Sequence, residues 1–505
     1  MTIPTSLRPS LLLCAGFLAW IPPLVAQDTA KVAGDEAPRI VLVEGNADRG
    51  VWQGWGVSLC WWAKIFGERD DLADWLYTMQ DAVTVGDWRL PGLGMTVARY
   101  NAGATTFNEV DGRRMVRSKT ILPFRQIHAF WLDPKQPDPD SAGWDWTADA
   151  NQREMLRKAR ERGATHFELF ANSPPWWMCA NDNPSGATRG EHENLIREYR
   201  DEFAHYLAMI ARRARDHWAL PFTSVAAFNE PSSNYWVADG KQEGSHFSPR
   251  SQIEILPLVR AALDREGLQA VALSASDETS YDHALAAWRA YPPEIKDLVE
   301  RVNVHGYQGR SGDRAGLDLA VRVEAGKPLW NSEHGDPDAS GLDMARNFHR
   351  DMHRMQPVAW CYWQAVDGGL GGKGGSGWGL LDGDLLEGRL LRDNPKAYVF
   401  AQYSRHIRPG MRILGQADPD AVVAFDESAG RLVVAVLNPE DRPRVLRVDL
   451  SRLGAGGGHA GVWLTEPFGA SRYARQPDLA FADGVLEREL PPRSVLTLQF
   501  ENLRR

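Results

Sequence analysis

The chain has 505 residues, 43% of them hydrophobic and 24% charged, which is apolar material for more than one small core; a large domain with a smaller companion is expected. A formal charge of -9, with no basic run along the chain, excludes a phosphate-backbone partner, so no nucleic-acid binding is expected.

From the amino terminus, a sparse basic segment ending at Arg8 precedes an apolar run from Leu11 to Ile21. Leu24, Val25 and Ala26 then lead to polar Gln27. The pattern predicts a cleavable signal peptide over residues 1–26, and the run is short of the ~20 residues that span a bilayer. A secreted or periplasmic monomer with no membrane role beyond export is the expectation. Cys14 follows Leu13, where a lipoprotein signal needs a small residue. Cys60, Cys179 and Cys361 do not make a disulfide framework and lack the close Cys/His spacing of a zinc site. One disulfide with one free thiol is allowed, the pair being left open, and neither metal nor cofactor is expected.

Short apolar runs then alternate with longer amphipathic stretches. Strands are expected at Trp52 to Gly56, Gly94 to Tyr100, His166 to Phe170, Val225 to Phe228, Ala270 to Leu273, Arg301 to His305, Pro328 to Asn331 and Val358 to Tyr362. Helical patterns lie between them at Ala150 to Arg162, Glu191 to His217, Arg250 to Arg265, Tyr281 to Val299 and Leu342 to Met355. Eight such strands predict an α/β fold, a closed (β/α)8 barrel of TIM type, spanning residues 46–405. The stretch from Tyr100 to Asp149 reads as a substrate-side loop with little regular structure. After Pro409 come short Val- and Leu-rich runs separated by Gly, Asp and Pro, at Ala421 to Phe425, Arg431 to Leu437, Val445 to Val448, Val462 to Thr465 and Ser494 to Phe500. They predict an all-β sandwich side domain over 406–505. Ile40 to Glu44 has strand composition and no barrel partner, so residues 27–45 are expected to join that side domain.

Two glutamates stand where barrel loops begin. Glu230 follows the strand ending Ala227, Phe228, Asn229, and Glu333 follows Trp330, Asn331, Ser332. They end strands four and seven, and in a closed barrel both face one mouth although 103 positions separate them. Hydrolysis of a glycosidic bond needs such a pair, one carboxyl to protonate the leaving oxygen and one to attack the anomeric carbon.

Asn229, Glu230, Pro231 and the run Trp330 to Asp336 resemble the motifs of glycoside hydrolase family 30. So do Gly54 to Ala63 at the first strand, Ala98 to Asn101 at the second, Asn172 to Met178 at the third and Trp360 to Asp367 at the eighth. The resemblance covers roughly residues 40 to 500. It implies Glu230 as acid/base and Glu333 as nucleophile of a retaining mechanism, Glu230 holding a proton while Glu333 is charged. It also implies Asn229 on the hydroxyl beside the anomeric carbon and Arg99 near Glu333, keeping it ionised. Tyr307 and His334 are candidates for orienting the nucleophile or the sugar.

The chain has 20 tryptophans, many at predicted loop starts. Indole faces pack on the CH faces of pyranose rings, and adjacent Trp pairs are hard to bury together, so Trp61, Trp176, Trp236 and Trp363 are expected to line a groove, with Asn172 as a further substrate contact. Gly368 to Gly379 fails as a phosphate loop, because Lys373 is followed by Gly374, and reads as a flexible loop over the cleft. Within the family the chain most resembles endo-β-1,6-galactanases, which implies a polysaccharide or oligosaccharide substrate. β-1,6-glucanase, xylanase, β-glucosylceramidase-like and exo-acting activities are the alternatives within the family, and a catalytically silent carbohydrate-binding protein or a metal-dependent phosphohydrolase those from other classes.

Overall fold

A computed structural model describes residues 39–368 and 375–503; the signal-peptide reading lies outside the described residues. Eight parallel strands close into a barrel: Gly54–Ser58, Val97–Ala102, His166–Ala171, Ser224–Ala226, Ala272–Glu278, Arg301–His305, Leu329–His334 and Ala359–Tyr362. These are the eight expected segments, with ends moved by a few residues. Strand six shows how the sequence builds the wall. Val302 and Val304 join the apolar layer, while Arg301, Asn303 and His305, two apart, turn inward among polar partners. Charge along the axis is a departure from the branched aliphatic filling usual in such barrels.

Helices Ala150–Glu161, Arg200–Asp216, Pro249–Arg265, Tyr281–Ala290 and Leu342–Arg354 lie between successive strands. Ser248 and Ser280 cap two of them, each side chain accepting from the backbone N–H three residues on. Two helical readings need correction. The stretch Tyr281 to Val299 breaks into two helices at Pro292 and Pro293, since proline lacks the N–H and disfavours helix in the residue before it. The helix expected from Glu191 starts only at Arg200.

The stretch from Tyr100 to Asp149 has little regular structure, as expected, yet much of it is packed. Trp131 stacks on Trp144 at 5.0 Å and 6°, and Trp144 on Trp146 at 5.0 Å and 14°. Trp131 also receives the indole N–H of Trp177 on its carbonyl, at 3.1 Å.

Ten strands form the side sheet: Arg39–Leu42, Glu44–Val51 and eight more between Arg412 and Phe500. Arg39–Leu42 pairs in parallel with Arg444–Asp449, and Glu44–Val51 antiparallel with Arg412–Gly415. The passage into the barrel thus falls after Val51, later than residue 45. Val423, Val434, Val448, Leu486 and Leu498, drawn from strands across the sheet, meet in one apolar core, so the sheet folds over on itself. On the alternate face Val422, Val433, Leu437 and Val495 join the barrel's core cluster, which gives these strands their unbroken Val and Leu runs. The sequence reading missed Arg412–Gly415, Val485–Leu490 and Ala474–Ala482, the last with residues mostly polar or exposed and containing Pro477.

Candidate active site

The C-terminal ends of the barrel strands surround a cleft of about 640 Å³, a size suited to a small glycan segment. Glu230 and Glu333 both line it, with Asn229, Tyr307, Trp61, Trp236 and Trp363. Glu230 sits past the end of strand four in a left-handed conformation, φ 49°, its N–H donating to the Asp277 carbonyl at 2.8 Å. Glu333 belongs to strand seven, and its carbonyl accepts from Gly306 N–H at 2.7 Å. One oxygen from each carboxylate and a nitrogen of His305 lie within 4.8 Å of one another.

Donors converge on these oxygens. Tyr307 OH donates to Glu333 Oε1 at 2.9 Å and Arg99 Nη1 to Glu333 Oε2 at 3.2 Å. Tyr235 OH donates to Glu230 Oε2 at 2.5 Å. Arg99 runs along the barrel axis: its Nε bonds Glu168 Oε1 at 2.9 Å and its Nη2 bonds Asp277 Oδ2 at 2.5 Å. Arg301 also donates to Glu168. His305 Nδ1 stands 3.2 Å from Glu230 and 3.4 Å from Glu333, with Nε2 3.3 Å from Asp277.

The charges in this buried network nearly cancel. Arg99, Arg301 and protonated His305 supply three cations against the four carboxyls of Glu168, Asp277, Glu230 and Glu333. One retained proton makes the set neutral, the cheapest state away from water. Although burial works against it, Arg301 and Arg99 hold Glu168 below the usual carboxylate range, and Arg99 and His305 do the same for Asp277. Burial alone would discharge His305, but Glu333 and Asp277 raise it to about 10. Burial pushes Glu333 up to about 7, against the pull of His305 and Arg99 and with Glu230 and Asp277 adding to the rise. Glu333 is therefore less readily ionised than the sequence reading expected. A protonated His305 has no free lone pair to offer a metal, so the Glu230, His305, Glu333 group is poorly suited as a cation site.

Three sequence expectations are corrected. Trp176 is buried, its indole N–H donating to Thr106 Oγ1 at 2.5 Å, and Trp177 beside it is buried too, because the folded 100–149 segment covers both. Asn172 is likewise buried outside the cleft lining, its Nδ2 3.8 Å from Cys60 Sγ. His334 turns away from the carboxylates: the register of strand seven shifts between Asn331 and His334, so that Ser332 and Glu333 both face the axis and His334 does not. Its Nε2 lies 3.0 Å from Asp336, which Lys396 also grips at 3.0 Å. Cys60, Cys179 and Cys361 are all buried free thiols.

The residues missed are His305, Asp277, Tyr235 and Arg125; Trp378 belongs to the loop expected over the cleft. His305 had a signal, an ionisable side chain at the end of a barrel strand, and Tyr235 stands next to Trp236. Arg125 had none: it comes from the long loop, and its guanidinium lies 4.3 Å over the ring of Trp61. Trp61 meets Trp363 edge-on at 5.1 Å, and Trp378 closes that side of the cleft. Trp236 donates its indole N–H to the Glu230 carbonyl at 3.0 Å and packs over Gly244, where a side chain would collide with its ring. Of the Gly368 to Gly379 loop, residues 369–374 lie outside the described residues, while Gly368, Ser376 and Trp378 line the cleft.

Comparison with known proteins agrees with this geometry. The family model for O-glycosyl hydrolase family 30 matches residues 39–286. An endo-β-1,6-galactanase of Hypocrea rufa is 42% identical over 466 residues, 92% of this chain and 95% of that protein. An exo-β-1,6-galactobiohydrolase of Bifidobacterium longum subsp. longum is 25% identical over 62% of this chain and 26% of its own length. Among solved structures, a conserved exported protein from Bacteroides fragilis is similar with a TM-score of 0.73 at 18% identity, over 92% of this chain and 100% of that one. The catalytic domain of GH30 xylanase C from Talaromyces cellulolyticus has a TM-score of 0.67 at 16% identity, with coverage of 92% and 100%. These two likenesses show the fold; the sequence match carries the rest. The chain belongs to glycoside hydrolase family 30 and is an O-glycosyl hydrolase.

Proposed function

We propose that this hydrolase cleaves β-1,6-linked galactan within the chain, with retention of configuration, using Glu230 as acid/base and Glu333 as nucleophile. The observation that carries the mechanism is the approach of one oxygen from each carboxylate to within 4.8 Å. Retaining enzymes hold the two groups about 5–5.5 Å apart, whereas inverting enzymes need about 6.5–9.5 Å to admit a water. Glu333 attacks the anomeric carbon as Glu230 protonates the departing oxygen; Glu230 then takes a proton from the water that releases the sugar. Tyr307 and Arg99 orient Glu333. Asn229 Oδ1, buried in the cleft wall without a hydrogen-bond partner among the described residues, is an acceptor available to the hydroxyl next to the anomeric carbon. Trp61, Trp236, Trp363 and Trp378 offer the ring faces that a pyranose packs against.

Galactan is favoured by the 42% identity, over nearly the whole chain, to an enzyme named for that activity. The apolar run Leu11 to Ile21 supports export, and among the described residues no helix is long and apolar enough to cross a membrane. Digestion of β-1,6-galactan, β-1,6-glucan and xylan, with the first anomer followed by proton NMR, tests the reading. Short β-1,6-galacto-oligosaccharides released as the β-anomer are expected. Cleavage of xylan or glucan alone overturns the substrate, a first-formed α-anomer overturns the mechanism, and binding without turnover reveals a carbohydrate-binding protein.

A further inference from the structure

His305 ends the inward row of strand six and is fully buried. Asp277 holds one edge of its ring, and is itself fixed by Arg99 and by Ser332 Oγ at 2.6 Å. The other edge faces both catalytic carboxyls at nearly equal range, 3.2 Å to Glu230 and 3.4 Å to Glu333. Tyr307, 5.8 Å away between ring centres, closes the remaining side. A carboxylate oxygen lies within 3.4 Å of each ring nitrogen, and negative charge on both edges favours the imidazolium. A cation midway between two acids is an odd placement if its task is to ionise the nucleophile, since Arg99 already contacts Glu333.

We propose that His305 is a shared cation, protonated throughout turnover, that stabilises the negative charge on Glu333 in the resting enzyme and on Glu230 in the covalent intermediate. The inference rests on the roles proposed above for the two glutamates. The bookkeeping of bonds requires a charge that changes place. In the first step a Glu333 oxygen bonds to the anomeric carbon, the glycosidic bond breaks, and the Glu230 proton goes to the leaving oxygen. Glu333 is then a neutral ester and Glu230 a carboxylate. In the second step water bonds to the same carbon, its proton passes to Glu230, and the ester bond breaks to restore the Glu333 carboxylate. The pair carries one negative charge before, between and after the two steps, but on alternate sides of His305. A preorganised cation within reach of both sites needs no rearrangement as the charge moves.

His305→Gln and His305→Lys, assayed with a dinitrophenyl β-galactoside under pre-steady-state and steady-state conditions, test this. For His305→Gln, formation and hydrolysis of the intermediate should both slow by about 10²-fold or more. The acid limb of kcat/KM should move up by about one pH unit, because Glu333 has lost a neighbouring positive charge. His305→Lys should bring that limb back toward its wild-type position. A limb unmoved in His305→Gln, or a loss confined to one step, overturns the proposal. If His305→Gln does not fold, nitrogen NMR of histidine-labelled wild-type enzyme, free and trapped with a 2-fluoro-galactoside, decides: an imidazolium in both states supports the shared cation, a neutral ring in either overturns it. Azide added to Glu333→Ala tests the underlying reading separately. If no glycosyl azide forms there, the carboxylate roles fail whatever His305 does; if it forms while the His305→Gln limb stays in place, only the shared cation fails.

Discussion

The barrel axis and the interior of the side sheet are both buried, but they are filled by opposite kinds of residue. The sheet encloses Val423, Val434, Val448, Leu464, Leu486, Leu498 and their neighbours, an apolar core that contributes stability in proportion to the area it removes from water. The axis encloses Arg99, Glu168, Asp277, Arg301, His305 and Glu333, an arrangement that well-packed apolar residues of similar volume often match or exceed in stability. What the charged axis provides is a set of fixed dipoles and ions aimed at two carboxyls, stiff because each member has several partners. The contrast teaches that the interior of the side sheet is organised to fold and the barrel axis to hold charge where the chemistry uses it.

Substitution can break or sharpen that contrast. Glu333→Ala is expected to lower turnover by about 10⁵-fold, with azide restoring part of it as a glycosyl azide of opposite anomeric configuration; wild-type-like turnover would show that the axis serves some other end. Arg99→Met strands Glu168, Asp277 and Glu333 together and should cost about 3–5 kcal/mol in denaturant unfolding as well as turnover. Leu498→Ala in the sheet should cost about 2–5 kcal/mol and leave kcat per folded molecule unchanged. Equal losses of kcat in those two variants would erase the distinction.

The tryptophans sharpen the comparison within the barrel itself. Trp176→Ala should lower stability by about 3–5 kcal/mol, whereas Trp363→Ala, on the cleft wall, should raise KM about tenfold with a smaller change in stability. A Trp176→Ala enzyme that folds as well as wild type and binds substrate poorly would return that residue to the cleft.

The pH dependence of turnover should arise in the barrel. Glu333 must be ionised to attack, so kcat/KM should fall as pH drops through about 7. Glu243, buried beneath the cleft wall and bonded by Thr105 Oγ1 at 2.6 Å, is pushed up to about 8 by burial, which its hydrogen bonds only partly offset. Its folded-state carboxyl keeps a proton that the unfolded chain has lost, so the stability it contributes is complete below about 4.5 and is lost as pH rises through 8. Glu243→Gln should therefore hold its Tm better than wild type between pH 7 and 9. An unchanged slope of Tm against pH would count against that assignment.

Much of the molecule could be read from residue order. Eight barrel strands, five strands of the side sheet, the helices between them and the two glutamates at strand ends all follow from periodicity and from Pro, Gly and Ser placement, which act over a few neighbouring residues. Local pattern also accounts for one of the misreadings, since the proline pair at 292 and 293 was visible in the chain, whereas the register shift that turns His334 away was not. Only the folded barrel decided that His305, rather than His334, stands between the acids, that Arg125 from a distant loop lies over Trp61, and that Trp176 is sealed beneath the 100–149 segment. Those outcomes depend on which residues from six different strands and one long loop arrive at the same few ångströms. Burial and mutual charge there set which groups hold protons, and spacing along one chain carries no record of such distances.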